Sequence, residues 1–356
     1  MCLHASAHIS VCREDDPSPV YDATRAPEGC IGTSSPGRAV YFQGMSFPRS
    51  RSSRRAGAVA ALAVVVMCLP VALSAWGDVG HRLTGLAAAT RLPEEMPAFF
   101  RNASQQLAYL NPEPDRWKDR AERTLDPALE ASTSPEHYID MDLAAPDVVR
   151  AAMAAPNRWA YADTLRRANI AATTMGLLPF EILEGAQKLR GDFRLWRIAP
   201  DSTSRSWIEQ RIIDDAGILG HYIADGSNPH HTSKHHNGWV GENPRQFATD
   251  NRFHYRFESQ YVQANITLPD IFARMTSAPQ VFPNIRSAVI DYLNTTFGQL
   301  ETLYQIDKVT PFQAETSTVE QKAFVAARLA AGAEMLRDIW WTAWVTSGQT
   351  VPMPAR

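Results

Sequence analysis

Apolar residues recur at three- and four-residue intervals along most of the chain after residue 76, with charged residues between them. This spacing lines one face of an α-helix with apolar side chains. It predicts helices at 83–90, 146–175, 203–224, 251–264, 285–303 and 319–345. Breaks rich in Pro, Gly and Asn at 111–114, 226–244 and 278–284 predict loops. Strand-like alternation is scarce, so we expect an all-α fold in a single compact multi-helix domain.

A different pattern precedes residue 76. Met45 is followed by four arginines, an apolar run at 58–73 and two small residues. A basic region, an apolar core and a small-residue cleavage site are typical of a secretory signal peptide. We therefore predict a signal peptide at 45–75, cleaved before Trp76, and a secreted or periplasmic protein. A membrane anchor is the alternative, although about sixteen apolar residues are marginal for a span.

Residues 1–44 are rich in Ser, Pro and Gly and show no hydrophobic periodicity. We interpret them as non-native residues or a misassigned upstream start, which leaves 76–356 as the functional domain. All four cysteines precede residue 76. Without disulfides, a secreted domain depends on its core and on any metals it binds. The formal net charge of −3 gives no strong electrostatic signature for duplex nucleic acid.

Eight of the ten histidines lie between residues 81 and 254, most of them near carboxylates. His221 precedes Asp225 by four residues, and His254 precedes Glu258 by four, so each pair shares one helix face. Imidazole and carboxylate groups are ligands that zinc accepts, at three to four per metal. The candidate ligands are His81, Asp115, His137, His221, Asp225, His231, His254 and Glu258. This set predicts a metal-dependent hydrolase.

Each candidate also has an ordinary interpretation. A lone histidine such as His81 or His137 is usually a polar residue without metal, and Asp115 follows a proline that often starts a turn. His254 and Glu258 suit a solvated helix pair. The pair at 235–236 suits a loop tip, and we leave it outside the ligand set. The group His221, Asp225 and His231 is harder to dismiss, since it ends an apolar helix where unpaired polar groups are costly.

In combination, these motifs resemble the zinc-dependent phospholipase C / fungal single-strand-specific nuclease superfamily. The resemblance spans residues 76–258 in the family's order, and a closing helix with Arg328–Leu–Ala–Ala–Gly332 adds to it. The most specific element is the pattern HxxxD, five residues, H, followed by HxxxE. The motifs are Trp76–Gly–Asp–Val–Gly–His81, Pro114–Asp115, His137–Tyr–Ile–Asp140, His221–Tyr–Ile–Ala–Asp225–Gly–Ser–Asn–Pro229–His–His231 and Phe253–His254–Tyr–Arg–Phe–Glu258.

The resemblance implies three zinc ions per chain, in a trinuclear site within a cleft. The first zinc would be held by Asp115, His137, His221 and Asp225. The second would use His231, His254 and Glu258, with open positions for water. The third would take the α-amino nitrogen and carbonyl oxygen of Trp76, together with His81 and a bridging Asp225. That amino group exists only after cleavage and must lose its proton to bind metal. Asp115 and Asp225 are the carboxylates expected to take part in catalysis.

Two features depart from a simple match. Asp119 also resembles the nuclease branch's pattern, so it competes with the preferred Asp115. The last carboxylate is Glu258, as in the phospholipase branch, where the nucleases carry aspartate. Against this, the short spacing from Trp76 to His81 is similar to that of the nucleases.

On this basis we expect a secreted phosphodiesterase in which a metal-bound hydroxide attacks phosphorus. The favoured activity is an endonuclease and 3′-nucleotidase acting on single-stranded DNA, RNA or nucleotides. Phe253, Tyr255 and Trp239 are candidates for an aromatic platform that stacks bases. The alternatives are a phospholipase C acting on phospholipid headgroups and a non-catalytic metal-binding protein. No obligate protein partner is expected.

Overall fold

The computed structural model describes residues 76–276 and 278–349, and these contain no β-strand. The all-α prediction is confirmed. The predictions for 1–44 and for a signal peptide at 45–75 lie outside the described residues. No helix within the described part combines the length and apolarity that crossing a bilayer requires.

The α-helices vary from single turns to a helix of 29 residues. In chain order they are α1 Gly77–Thr90, α2 Ala98–Arg101, α3 Ser104–Leu110, α4 Glu113–Arg116, α5 Arg120–Leu125, α6 Pro127–Thr133, α7 Pro146–Met153, α8 Arg158–Arg167, α9 Ala172–Met175, α10 Leu178–Arg197, α11 Ser202–Asp225, α12 Phe253–Tyr255, α13 Val262–Asn265, α14 Leu268–Phe272, α15 Ile285–Phe297, α16 Leu300–Val309 and α17 Val319–Ser347. Two 3₁₀ turns, Ser134–His137 and Pro229–Thr232, and a π-helix, Arg256–Tyr261, complete the set.

Helix α11 is the centre of the packing. It contacts α1, α3, α10 and α17, and its carboxyl-terminal half is largely buried between them. Asp201 caps its first turn by accepting a hydrogen bond from the Ser204 backbone N–H at 2.8 Å. Every residue at 219–225 is buried. Any polar side chain on these last two turns must therefore find its partners inside the protein.

The helix predictions hold best where one apolar face is long and uninterrupted. Helices α11 and α17 match the predictions at 203–224 and 319–345 to within about two residues, the usual uncertainty of helix ends. The single helix predicted at 146–175 is wrong: the segment forms α7, α8 and α9. Asn157 caps α8 by accepting from two backbone N–H groups, and Asn169 adopts a positive φ of 59° that ends it. The prediction at 285–303 is likewise divided, at Gly298.

Candidate metal centre

The described residues contain three groups of histidine and carboxylate side chains whose ligand atoms lie within 4.8 Å of one another. The three groups together contain all eight side chains predicted as ligands. The predicted contribution of Trp76 comes from its backbone atoms. The groups are His81–Asp115–His221, His137–His221–Asp225 and His231–His254–Glu258. The first two share His221, so they form one continuous cluster.

Asp225 is the hub of this cluster. Its Oδ1 lies 3.4 Å from His81 Nε2, and its Oδ2 lies 3.1 Å from His137 Nδ1 and 3.3 Å from His221 Nε2. Burial favours the neutral form, yet the imidazoles of His231 and His221 hold the pKa of the Asp225 carboxyl well below its usual range. Asp225 is therefore an anion that faces several ring nitrogens from the end of α11.

Asp115 approaches the same cluster from the short helix α4. Its Oδ1 lies 3.7 Å from His221 Nε2, 3.8 Å from His137 Nδ1 and 3.1 Å from the Lys118 ammonium. Asp119, the competing candidate, is exposed and accepts hydrogen bonds from two backbone N–H groups at the start of α5. The geometry therefore places Asp115, and not Asp119, beside the histidines.

The third group is built on the segment around the π-helix. His254 Nε2 lies 2.6 Å from Glu258 Oε2 and 3.1 Å from His231 Nε2. Burial lowers the pKa of the His254 imidazole to about 4 and raises that of the Glu258 carboxyl to about 7. The His254 ring is therefore uncharged near neutral pH, which is the form in which an imidazole binds metal.

Trp76 is completely buried, and its backbone nitrogen donates to Glu258 Oε2 at 3.0 Å. Its indole N–H lies 2.7 Å from the Ala224 carbonyl oxygen and 3.0 Å from Ser227 Oγ. Its own carbonyl oxygen accepts from the Gly80 N–H at 3.1 Å. These bonds hold Trp76 beside the cluster. The predicted zinc site would place its nitrogen near Asp225, whereas in the structure this nitrogen contacts Glu258 of the third group. Its role as a ligand stays a prediction.

Unpaired buried atoms test whether a metal fits. Among the described residues, Asp115 Oδ2 is buried without a hydrogen-bond partner, and His81 Nε2 and Asp225 Oδ1 face each other at 3.4 Å without a hydrogen bond. Asp115 Oδ1 has the Lys118 ammonium 3.1 Å away but no hydrogen-bond partner. Leaving such groups unpaired in the interior is costly. All four atoms belong to the cluster, and imidazole nitrogen with carboxylate oxygen is a donor set for zinc. The side chains present therefore fit a bound cation.

Sequence reasoning missed three polar residues that support the ligands. The Asn111 side chain accepts from His81 Nδ1 at 3.0 Å, and Asn228 donates to Glu258 Oε2 at 3.2 Å. Lys118 places its ammonium on Asp115. Each is a single polar residue in or near a turn, and no periodic sequence pattern there indicates that it contacts a ligand. The i, i+3 spacing of Asp115 and Lys118 is the one signal that was readable.

The remaining histidines of the described residues do not belong to the three groups. The ring of His235 stacks on Trp239 at 3.9 Å, and neither His235 nor His236 belongs to the three groups, in line with leaving them outside the ligand set. His230 is buried with its ring centroid 4.7 Å from that of Phe253. Phe253 itself has no exposed surface, so its assignment as a stacking platform is wrong.

Comparisons with family models, curated proteins and solved structures gave no match to this chain.

Proposed function

We propose that the protein is a secreted zinc-dependent phosphodiesterase of the nuclease type, acting on single-stranded DNA, RNA and 3′-nucleotides. The observation that carries the proposal is the convergence of five imidazoles and three carboxylates, drawn from separate parts of the chain, into linked groups. The sequence motifs that resemble the nuclease and phospholipase C superfamily fall on these same side chains.

In this proposal Asp115, His137, His221 and Asp225 hold one zinc, while His231, His254 and Glu258 hold a second. A third zinc, distinct from the one in the third group, is held by His81, Asp225 and the freed amino terminus of Trp76. When bound, zinc supplies positive charge that polarises a phosphate ester and makes hydroxide available near neutral pH. The chain's own contribution is to keep Asp225 ionised, to aim the ring nitrogens and to exclude bulk water.

Two side chains of the centre keep some exposure to solvent. The His254 side chain is 17% exposed and that of Lys118 is 14% exposed, whereas His221 and Asp225 have no exposed surface. A phosphate would therefore reach the cluster between the third group and Lys118. The ammonium of Lys118 is placed to attract the anionic ester and to offset negative charge that develops on its oxygens.

A phospholipase C is the second candidate, because Glu258 is the carboxylate of that branch. A cavity of about 420 Å³ with apolar walls that include Met141, Val149, Met153 and Phe297 also favours it. Met141 belongs to the segment that bonds to the backbone of Thr232, next to His231. An acyl chain would suit such a cavity.

One assay separates these candidates. The purified protein is incubated with single-stranded DNA, RNA, a 3′-nucleotide and phosphatidylcholine, each with and without a chelator, and zinc is then restored. We expect chelator-sensitive hydrolysis of the three nucleotide substrates. Hydrolysis of phosphatidylcholine alone would identify the phospholipase. Zinc binding without hydrolysis of any of the four would point to a non-catalytic metal-binding protein.

A further inference from the structure

Asn111, which follows α3, contacts two of the cluster's histidines at once. Its side-chain Oδ1 lies 3.0 Å from His81 Nδ1, and its backbone carbonyl oxygen lies 2.9 Å from His221 Nδ1. Both acceptors are carbonyl oxygens, so each ring must donate a proton from Nδ1. The lone pair of each neutral ring is then at Nε2, the atom that faces Asp225 in both cases.

We infer that Asn111 is a positioning residue that fixes the tautomer of both histidines and thereby sets the metal affinity of the cluster. The inference rests on the proposed function, since it concerns how the metal ligands are prepared. His81 comes from α1 and His221 from α11, so one residue aligns ligands from two helices. The two rings are stacked, with centroids 4.0 Å apart and planes at 14°. A ligand imidazole whose second nitrogen is anchored keeps its orientation and gains basicity.

Two glycines leave the space that the side-chain amide of Asn111 occupies. A Cβ atom at Gly220 would lie 2.2 Å from Asn111 Nδ2, and one at Gly85 would lie 3.0 Å from it. Glycine on each of the two facing helices therefore leaves the space that the amide fills. The residue itself has no exposed surface.

Asn111 Nδ2 has no hydrogen-bond partner although it is buried. An unpaired buried donor destabilises the fold, and leucine would remove it. Leucine would also leave the Nδ1–H of His81 without its acceptor, so the two changes oppose each other and metal-free stability should change little. A residue with a purely structural role would instead lose stability together with zinc affinity.

Asn111 contacts His81 through its side chain and His221 through its backbone. Replacing the Asn111 side chain removes the acceptor for His81 and leaves the backbone acceptor for His221 in place. His81 should lose its fixed tautomer while His221 keeps it.

The test combines a zinc competition titration, thermal unfolding of the metal-free protein and nuclear magnetic resonance of ¹⁵N-labelled histidine in the metal-free protein above neutral pH, where no metal on Nε2 dictates the tautomer. In the wild type we expect His81 and His221 both protonated at Nδ1. In Asn111→Leu we expect zinc affinity to fall by about 10- to 100-fold, the usual effect of losing such a support. Metal-free stability should change little, and only the His81 signals should change. Asn111→Asp keeps an acceptor oxygen and should retain affinity close to that of the wild type.

Asn243→Leu is the matched control. The Asn243 amide bonds the backbone of Phe247 instead of an imidazole, so its loss should lower stability and leave zinc affinity and tautomers unchanged. Unchanged affinity and an unchanged His81 tautomer in Asn111→Leu would overturn the inference, as would equal loss in the Leu and Asp variants. A wild type whose His81 carries its proton on Nε2 would overturn it without any variant. A wild type that binds no zinc would instead refute the proposed function.

Discussion

The Nδ1 atom of His231 lies 2.6 Å from the carbonyl oxygen of His137. The ring of His231 must donate here, which leaves its Nε2 free to face His254 and Glu258. The side chain of His137 points to Asp225 in the other part of the centre. This hydrogen bond joins the backbone of His137, a member of the cluster around Asp225, to the ring of His231 in the third group. The two parts of the centre are therefore directly connected.

Because the ligand groups are linked, metal binding should stabilise the whole domain. We expect about three zinc ions per chain by elemental analysis of the purified protein. Chelation should abolish activity and lower the melting temperature in calorimetry, since metal binding energy becomes folding energy. Zinc added afterwards should restore both. Active protein that contains one zinc or none would contradict the three-metal assignment.

Asp225→Asn should reduce activity by about 100-fold or more, a loss comparable to removing a group that acts directly on the transition state. The amide keeps the size of the side chain but removes the charge that faces three imidazoles. Zinc content should fall along with hydrolysis.

Asp192→Asn is the control for this substitution. Asp192 is a buried aspartate on α10 whose partner is Arg211, at 2.6 Å. It should leave both zinc content and activity unchanged. Equal losses in the two variants would mean that Asp225 is not a ligand.

Several parts of the fold and the site followed from the sequence for a physical reason. In α11 the helical period places His221 and Asp225 on one face, and the burial of the last turns forces them into contact with other ligands. The sequence favours Asp115 over Asp119 without excluding Asp119, and the structure separates them because Asp119 caps α5. Local spacing cannot distinguish a carboxylate that caps a helix from one that binds a metal, because both lie near a helix start.

Other parts could not be predicted. The apolar pattern does not reveal the 20-residue helix α10 or the breaks within 146–175, since caps such as Asn157 act locally. Asn111 could not be identified because its contacts join residues 30 and 110 positions away. Such contacts exist only after α1, α3 and α11 have packed.

Lys118→Met should lower hydrolysis at least about tenfold with little change in stability, since it removes a charge placed to act on the phosphate. The Lys118 ammonium lies 3.1 Å from Asp115 and its side chain is only 14% exposed. Lys188→Met is a matched control, because Lys188 makes a similar ion pair with Asp215 on α11 but is 62% exposed. Steady-state kinetics on a 3′-nucleotide would compare them. An equal effect of the two substitutions would exclude a specific role for Lys118.

A version of the protein with one extra residue before Trp76 should bind two zinc ions instead of three and lose most of its activity. In the structure the Trp76 nitrogen is already buried against Glu258, at 3.0 Å. As part of a peptide bond this nitrogen donates a proton and has no lone pair to offer. As a free amino terminus it can lose a proton and bind metal.

Trp76→Phe at a free amino terminus separates this role from packing. The phenylalanine variant loses the indole bonds to Ala224 and Ser227 but keeps the amine, so it should be less stable and still bind three zinc ions. The extended version keeps the indole and loses the amine, so it should show the reverse. Amino-terminal sequencing together with zinc content decides between them. A fully active protein that holds three zinc ions and begins upstream of Trp76 would show that the residue only packs beside the centre.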